Sequence, residues 1–107
     1  MLYIIYQLDK PDAREAGEIR ERTRAAHLAY LDRHKDILVL GGALLADEGH
    51  GRLGSVLIIN VPSRAAADAF SADEPFRKAG LFHSVSITRM RRGQWNPAAA
   101  PATAEGN

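Results

Sequence analysis

Residues 37–61 read ILVLGGALLADEGHGRLGSVLIINV. Two apolar runs, 37–45 and 53–61, flank a turn-rich link at 46–52, ADEGHGR. Runs of that length with β-branched side chains, joined by a short Gly-containing link, predict a β-hairpin. Working outward from it, Asp12 to about Lys35 has helical periodicity. Asp12 is placed to cap that helix, Glu15 follows three residues later as in a capping box, and no Pro interrupts. At about 100° per residue, Ile19, Thr23, Ala26, His27, Tyr30 and Leu31 share a face, and Leu28 points away. Ahead of the helix, residues 2–8 (LYIIYQL) form a strand that ends at the turn signal Asp9-Lys10-Pro11-Asp12. Beyond the hairpin, Ser63 opens a second helix to about Phe70, residues 74–80 add one helical turn closed by Gly80, and 83–90 make a last strand. The order β-α-β-β-α-β is that of an α+β, ferredoxin-like domain: a four-stranded antiparallel sheet with both helices on one face.

Composition narrows the function. Of 107 residues, 46% are hydrophobic and 25% charged, and 14 Lys and Arg nearly balance 13 Asp and Glu. That balance gives no electrostatic basis for binding nucleic acid or an anionic membrane. No segment approaches the roughly 20 apolar residues of a spanning helix, and the N-terminal run lacks the basic flank and cleavage site of a signal peptide. A cytoplasmic protein is expected. The absence of cysteine excludes disulfides, CxxC redox centres and thiolate metal sites. Residues 96–107 (NPAAAPATAEGN) carry no large apolar side chain and read as a flexible Ala/Pro-rich tail, leaving 1–95 as a single domain.

Two helices cover one side of a four-stranded sheet. With the other side wet, each strand should alternate apolar and polar, yet Tyr3-Ile4-Ile5-Tyr6, Ile37-Leu38-Val39-Leu40 and Val56-Leu57-Ile58-Ile59 are apolar throughout. Leaving about six such side chains exposed forfeits roughly 10 kcal/mol at ~1.5–3 kcal/mol each, comparable to a domain's whole stability. A homodimer packed through the sheet faces is therefore expected.

The literal GxGxxG at Gly49–Gly54 precedes a strand instead of opening a helix, so it reads as turn glycines and not as a nucleotide site. None of His27, His34, His50 and His83 has HxH, HxxxH or HExxH spacing, so no metal is expected, and His34 and His50 read as solvated. His27 differs. Arg20, Arg24 and Leu31 fall within roughly 60° of it on the helix, which suits a proton-transfer residue with anion-binding partners. It equally suits a histidine satisfied by a backbone carbonyl. Pro75 drives Glu74 out of helical geometry into a capping position, with Asp73 just before it. Either acid can balance a helix N-terminus or orient His27. Gly41 and Gly42, inside an apolar strand, mark a bulge or the close approach of a ligand. Ser55, at a strand start, can donate a hydrogen bond in the same pocket but lacks the elbow of a serine nucleophile.

These residues together resemble the YCII-related (YciI-like) family over about residues 1–92. The resemblance rests on the LYIIY strand, Arg24-x-x-His27-Leu28-x-x-Leu31, Gly41-Gly42 followed by Leu44, Asp47-Glu48-Gly49, Gly54-Ser55, Asp73-Glu74-Pro75-Phe76, Ala79-Gly80-Leu81-Phe82 and Val85-x-Ile87. It implies a dimeric α+β barrel and a site in which the histidine at position 27 pairs with an aspartate. The family pattern places Asp immediately before Pro, where this chain has Glu74. Among members with assigned chemistry is a dehydrochlorinase of chlorinated hydroxyquinols.

Two functions are expected from different classes. In the first, a cofactor-independent enzyme uses His27 as general acid or base and Asp73 or Glu74 as its orienter. Arg24 and Arg20 hold an anionic or phenolic oxygen, with Ser55, Gly42 and Phe76 lining the substrate, which is a small cyclic or aromatic metabolite undergoing elimination, isomerisation or lactone-type chemistry. In the second, a non-catalytic dimeric module binds a small molecule in a cavity lined by Tyr3, Tyr6, Phe76 and Phe82.

Overall fold

A computed structural model describes residues 1–100 and 102–106. The elements run β1 (Leu2–Asp9), α1 (Ala13–Arg33), β2 (Leu38–Leu45), β3 (Arg52–Asn60), α2 (Arg64–Asp73), α3 (Pro75–Lys78) and β4 (Phe82–Met90). The four strands form one antiparallel sheet in the order β2-β3-β1-β4, so the expected ferredoxin-like fold is present.

Local chemistry sets the helix starts. Asp12 accepts hydrogen bonds from the Arg14 and Glu15 amides at 3.0 and 3.1 Å, and Ser63 accepts from the Ala66 amide at 3.1 Å. Glu15 is engaged by Lys10 Nζ at 3.0 Å, so the reciprocal half of the expected capping box is given over to an ion pair. Ala16, Ile19 and Tyr30 are the buried residues of α1. Ala26, expected on the buried face, is exposed; it lies at the margin of the stripe, just beyond Ile19 in angular position. His34, read as solvated, instead packs its ring 4.4 Å from that of Tyr30. The Tyr30 hydroxyl donates to the Phe70 carbonyl at 2.8 Å. Burial first, and then the Asp73 and Glu74 charges, hold its pKa above the ordinary phenol value, which keeps it a neutral donor.

The helix-facing row of β1 reads Tyr3, Ile5, Gln7, Asp9, all buried. Its first half joins Tyr30, Leu57, Ile59, Val61, Ala67 and Phe70 in the main apolar cluster. A second cluster, Ala16, Ile19, Phe76 and Leu81, lies under α3. In the polar half of the row Gln7 pairs with Ser55 of β3 and Asp9 with Phe82 of β4, and there the interior becomes chemical. Gln7 Nε2 donates to Ser55 Oγ at 3.0 Å, both groups buried.

Strand crowding explains one glycine. A Cβ on Gly54 would run into the carbonyl oxygen of Gln7 and come within 3.0 Å of Leu8 Cα, so the central strands approach as closely as they do only because that side chain is missing. Gly54 lies inside β3, as the run 53–61 predicts, and the turn itself uses Gly49 at φ 85°.

The opposite sheet face is apolar on three strands. Leu2, Ile4 and Leu8 of β1, Val56 and Ile58 of β3 and Leu44 of β2 are half-buried there, while Tyr6 and Leu40 are exposed. On β4 the same face carries Ser84, Ser86 and Thr88, which reduces the patch relative to a uniformly apolar sheet. After β4, Trp95 borders a cavity of about 370 Å³ with Leu2, Val39, Leu40 and Ile58. Residues 96–100 are exposed, with one 3₁₀ turn at Pro97–Ala99; Pro101 and Asn107 of the expected tail lie outside the described residues. Among the described residues no helix is long and apolar enough to cross a membrane.

Candidate active site

Pro75 occupies the first position of α3 and makes Glu74 its N-cap, as expected. Glu74 is 1% exposed. Its two carboxylate oxygens accept from the amides of Phe76 and Arg77, each at 3.2 Å. The oxygen bonded to Phe76 also meets His27 Nδ1 at 2.5 Å. An ionised carboxylate only accepts, so Nδ1 carries the hydrogen and donates it, and the Nε2 lone pair is left for a ligand. Phe76 stacks on the His27 ring with centroids 3.9 Å apart and planes 15° from parallel. Tilt and tautomer of the imidazole are thus both fixed by the turn 74–76. Asp73 ends α2 with its side chain exposed, so of the two acids it is Glu74 that reaches His27.

Arg20 Nη2 donates to both carboxylate oxygens of Asp9, at 2.9 and 2.7 Å. The pair is largely buried, and Arg20 Nε is buried without a partner. This arginine is already neutralised, and its guanidinium lies 5.6 Å from the centre of the Phe76 ring. Arg24 is exposed and borders a cleft of about 80 Å³ with Arg20, His27, Leu28, Phe76 and Arg52.

On its other side His27 borders a cavity of about 200 Å³, walled by Leu31, Leu38 and Leu57, floored by Gly41–Ala43 and closed by Ser55 and Arg52. Ser55 is there, accepting from Gln7. Gly41 is the tightly packed glycine, since a Cβ there would come 2.9 Å from Leu57 Cδ2. Gly42, the one singled out from the sequence, has open space around its Cα and contributes backbone to the lining. Within one chain, the aromatic residues named for a binding module do not line a common cavity. Tyr3 belongs to the main cluster, Tyr6 lies on the opposite sheet face, and Phe82 packs with Ala16 and Leu81.

Sequence reasoning missed Asp9, Gln7 and Arg52. Asp9 reads as part of a turn signal and Gln7 as one polar residue in a strand; only the pairing of β1 with β3 and β4 shows that both face the helices. Among the described residues no three His, Asp or Glu side chains cluster as metal ligands would.

Comparison with known proteins agrees with this architecture. A family model described as the YCII-related domain matches residues 1–91. The proteins called YciI from Escherichia coli O6:H1 and from Shigella flexneri are each 33% identical over 99 residues, spanning 86% of this chain and 98% of theirs. Among solved structures, the 5-chloro-2-hydroxyhydroquinone dehydrochlorinase TftG of Burkholderia phenoliruptrix AC1100, in complex with 2,5-dihydroxybenzoquinone, is 34% identical. It superposes with a TM-score of 0.75 over 87% of this chain and 96% of that one. An antibiotic biosynthesis monooxygenase, 20% identical with a TM-score of 0.50 over 88% of this chain and all of that one, shares the fold alone. The strand order, the His27 helix and the match across residues 1–91 lead to one assignment: the chain belongs to the YCII-related family.

Proposed function

We propose that this chain is an acid–base enzyme acting on a small cyclic or aromatic molecule with an acidic oxygen, and that His27 transfers the proton. The observation that carries this reading is the 2.5 Å contact between His27 Nδ1 and a buried Glu74. A carboxylate on Nδ1 makes Nε2 the basic nitrogen and stabilises the imidazolium once Nε2 has taken a proton. Phe76 fixes the plane of the ring, and Arg24, at the mouth, meets the developing negative charge on oxygen. In an elimination, Nε2 takes a proton, the electron pair of that bond forms a new double bond, and the leaving group departs with the pair of its own bond. Isomerisation and lactone-type chemistry use the same proton transfer without a departing ion. The dehydrochlorinase activity of the Burkholderia relative supports the elimination branch.

Chloride release from 5-chloro-2-hydroxyhydroquinone is the first assay. The parent chain is expected to exceed the buffer rate, and His27→Gln to lose about 10²–10⁴-fold while circular dichroism still shows a folded chain. Equal rates in parent and variant remove His27 from the chemistry. A parent chain that binds 2,5-dihydroxybenzoquinone and releases no chloride is instead a binding module.

The apolar sheet face supports a homodimer as the working form. Sedimentation at micromolar concentration is expected to give twice the mass of one chain, and Leu40→Glu, which puts a charge on the most exposed leucine of that face, is expected to give a monomer. A monomeric parent chain would end this part of the proposal.

A further inference from the structure

The site holds a third arginine whose position depends on a defect in the sheet. In β2 and β3, Leu44 pairs with Gly54 but Leu45 pairs with Arg52, so Leu53 is an extra residue on β3. Such a bulge shifts the side-chain phase by one. From Ser55 onward the odd-numbered residues of β3 face the helices; without the bulge, Arg52 would fall on the opposite face with Val56 and Ile58. With it, Arg52 shares the face of Leu45 and reaches the His27 site, while Leu53 is left half exposed.

Among the described residues Arg52 alone borders all three spaces around the site. These are the small cleft with Arg24, the 200 Å³ cavity beside His27, and a cavity of about 470 Å³ on the far side with Lys10, Arg20 and His50. Asp9 is occupied by Arg20, and Glu74 by His27 and two amides. Partial removal from water, followed by the Arg20 charge and, less strongly, that of Arg24, lowers the Arg52 pKa against the opposing pull of Asp9. Three guanidinium groups thus converge where one carboxylate is committed to one of them. The arrangement is poor for the empty protein and good for an anion.

We propose that Arg52, delivered by the Leu53 bulge, is the specificity-determining residue of this site and, with Arg24, selects ligands bearing a planar anionic group such as a carboxylate or an ionised ring oxygen. A carboxylate accepts two parallel hydrogen bonds from a guanidinium and an ionised ring oxygen accepts charge-assisted bonds at one atom, whereas a neutral isostere offers no charged acceptor. The ring then lies toward Leu31, Leu38 and Leu57, within reach of His27 Nε2. This assignment rests on the proposed function for the reason a ring should be held there, but the selection of charge is separable from the chemistry.

The test uses benzoate and its neutral isostere benzamide as probes, titrated into the full chain at neutral pH. The readouts are the His27 imidazole NMR shifts and calorimetry. The parent chain is expected to bind benzoate about tenfold or more tighter than benzamide, the range of a charge-assisted hydrogen bond. Arg52→Gln should bring the two within about twofold, whereas Arg22→Gln, at an exposed position elsewhere on α1, should preserve the preference. Four results overturn the inference: equal binding of the probes by the parent, an undiminished preference in Arg52→Gln, an equal loss in Arg22→Gln, or no saturable benzoate binding. Loss of turnover in His27→Gln without a benzoate preference would sink this inference and leave the proposed function standing. A benzoate preference in a chain whose His27→Gln variant turns over normally would do the reverse.

Discussion

Glu74→Ala is expected to lower the unfolding free energy by about 2–4 kcal/mol, from a lost N-cap together with a buried donor left without its acceptor. Three groups lose their acceptor at once: the Phe76 and Arg77 amides at the start of α3, and His27 Nδ1. A lost N-cap alone costs about 1 kcal/mol, and each buried donor left unsatisfied about 1–3 kcal/mol. Against a total of roughly 5–15 kcal/mol for a domain, the variant should unfold at clearly lower urea, with the slope of the transition unchanged. Glu74→Gln should be milder in stability, because its carbonyl can still cap α3, yet comparable to His27→Gln in lost turnover. A Glu74→Ala chain within about 0.5 kcal/mol of the parent, the range of an ordinary surface change, would show that the acid is neither cap nor partner in solution.

The second large effect belongs to a residue with no side chain. Gly54→Ala is expected to prevent folding, or to cost more than about 4 kcal/mol, in the range of the severest single substitutions. The new methyl group meets the backbone of Gln7 and Leu8, and backbone at the middle of a sheet cannot swing aside as a side-chain terminus can. Relief requires β1 and β3 to separate, which breaks the pairing of Leu8 with Gly54 and of Gln7 with Ser55. Gly42→Ala is the internal control. Nothing lies within 4 Å of its added Cβ, so it should stay within about 0.5 kcal/mol of the parent. Circular dichroism with urea titration distinguishes the pair, and equal behaviour would refute the close-approach account.

The order of elements was legible because each carries a short-range signal: an Asp or Ser cap, a Pro at the first turn of α3, a run of β-branched residues. Glu74 was legible as a cap for the same reason, since Pro75 acts on the residue just before it. Which acid reaches His27 was not, because that choice depends on how α3 lies against α1. Arg52 was invisible for another reason. Whether it faces His27 or the opposite sheet face turns on one unpaired residue, and strand register is a property of two strands, not of one. Tyr3 and Tyr6 show the complementary error: three positions apart on a strand they point to opposite sides, so grouping them by aromatic character assigned one cavity to two faces.

The Leu53 bulge has a consequence for redesign. Because the extra residue sets which face Arg52 occupies, the hairpin tip at 46–52 is exchangeable as a unit only if the bulge is kept. Exchanging that tip as a cassette, with a carboxylate or an amide where Arg52 stands, should retune which molecules are accepted while both apolar clusters and the histidine–glutamate contact keep their places.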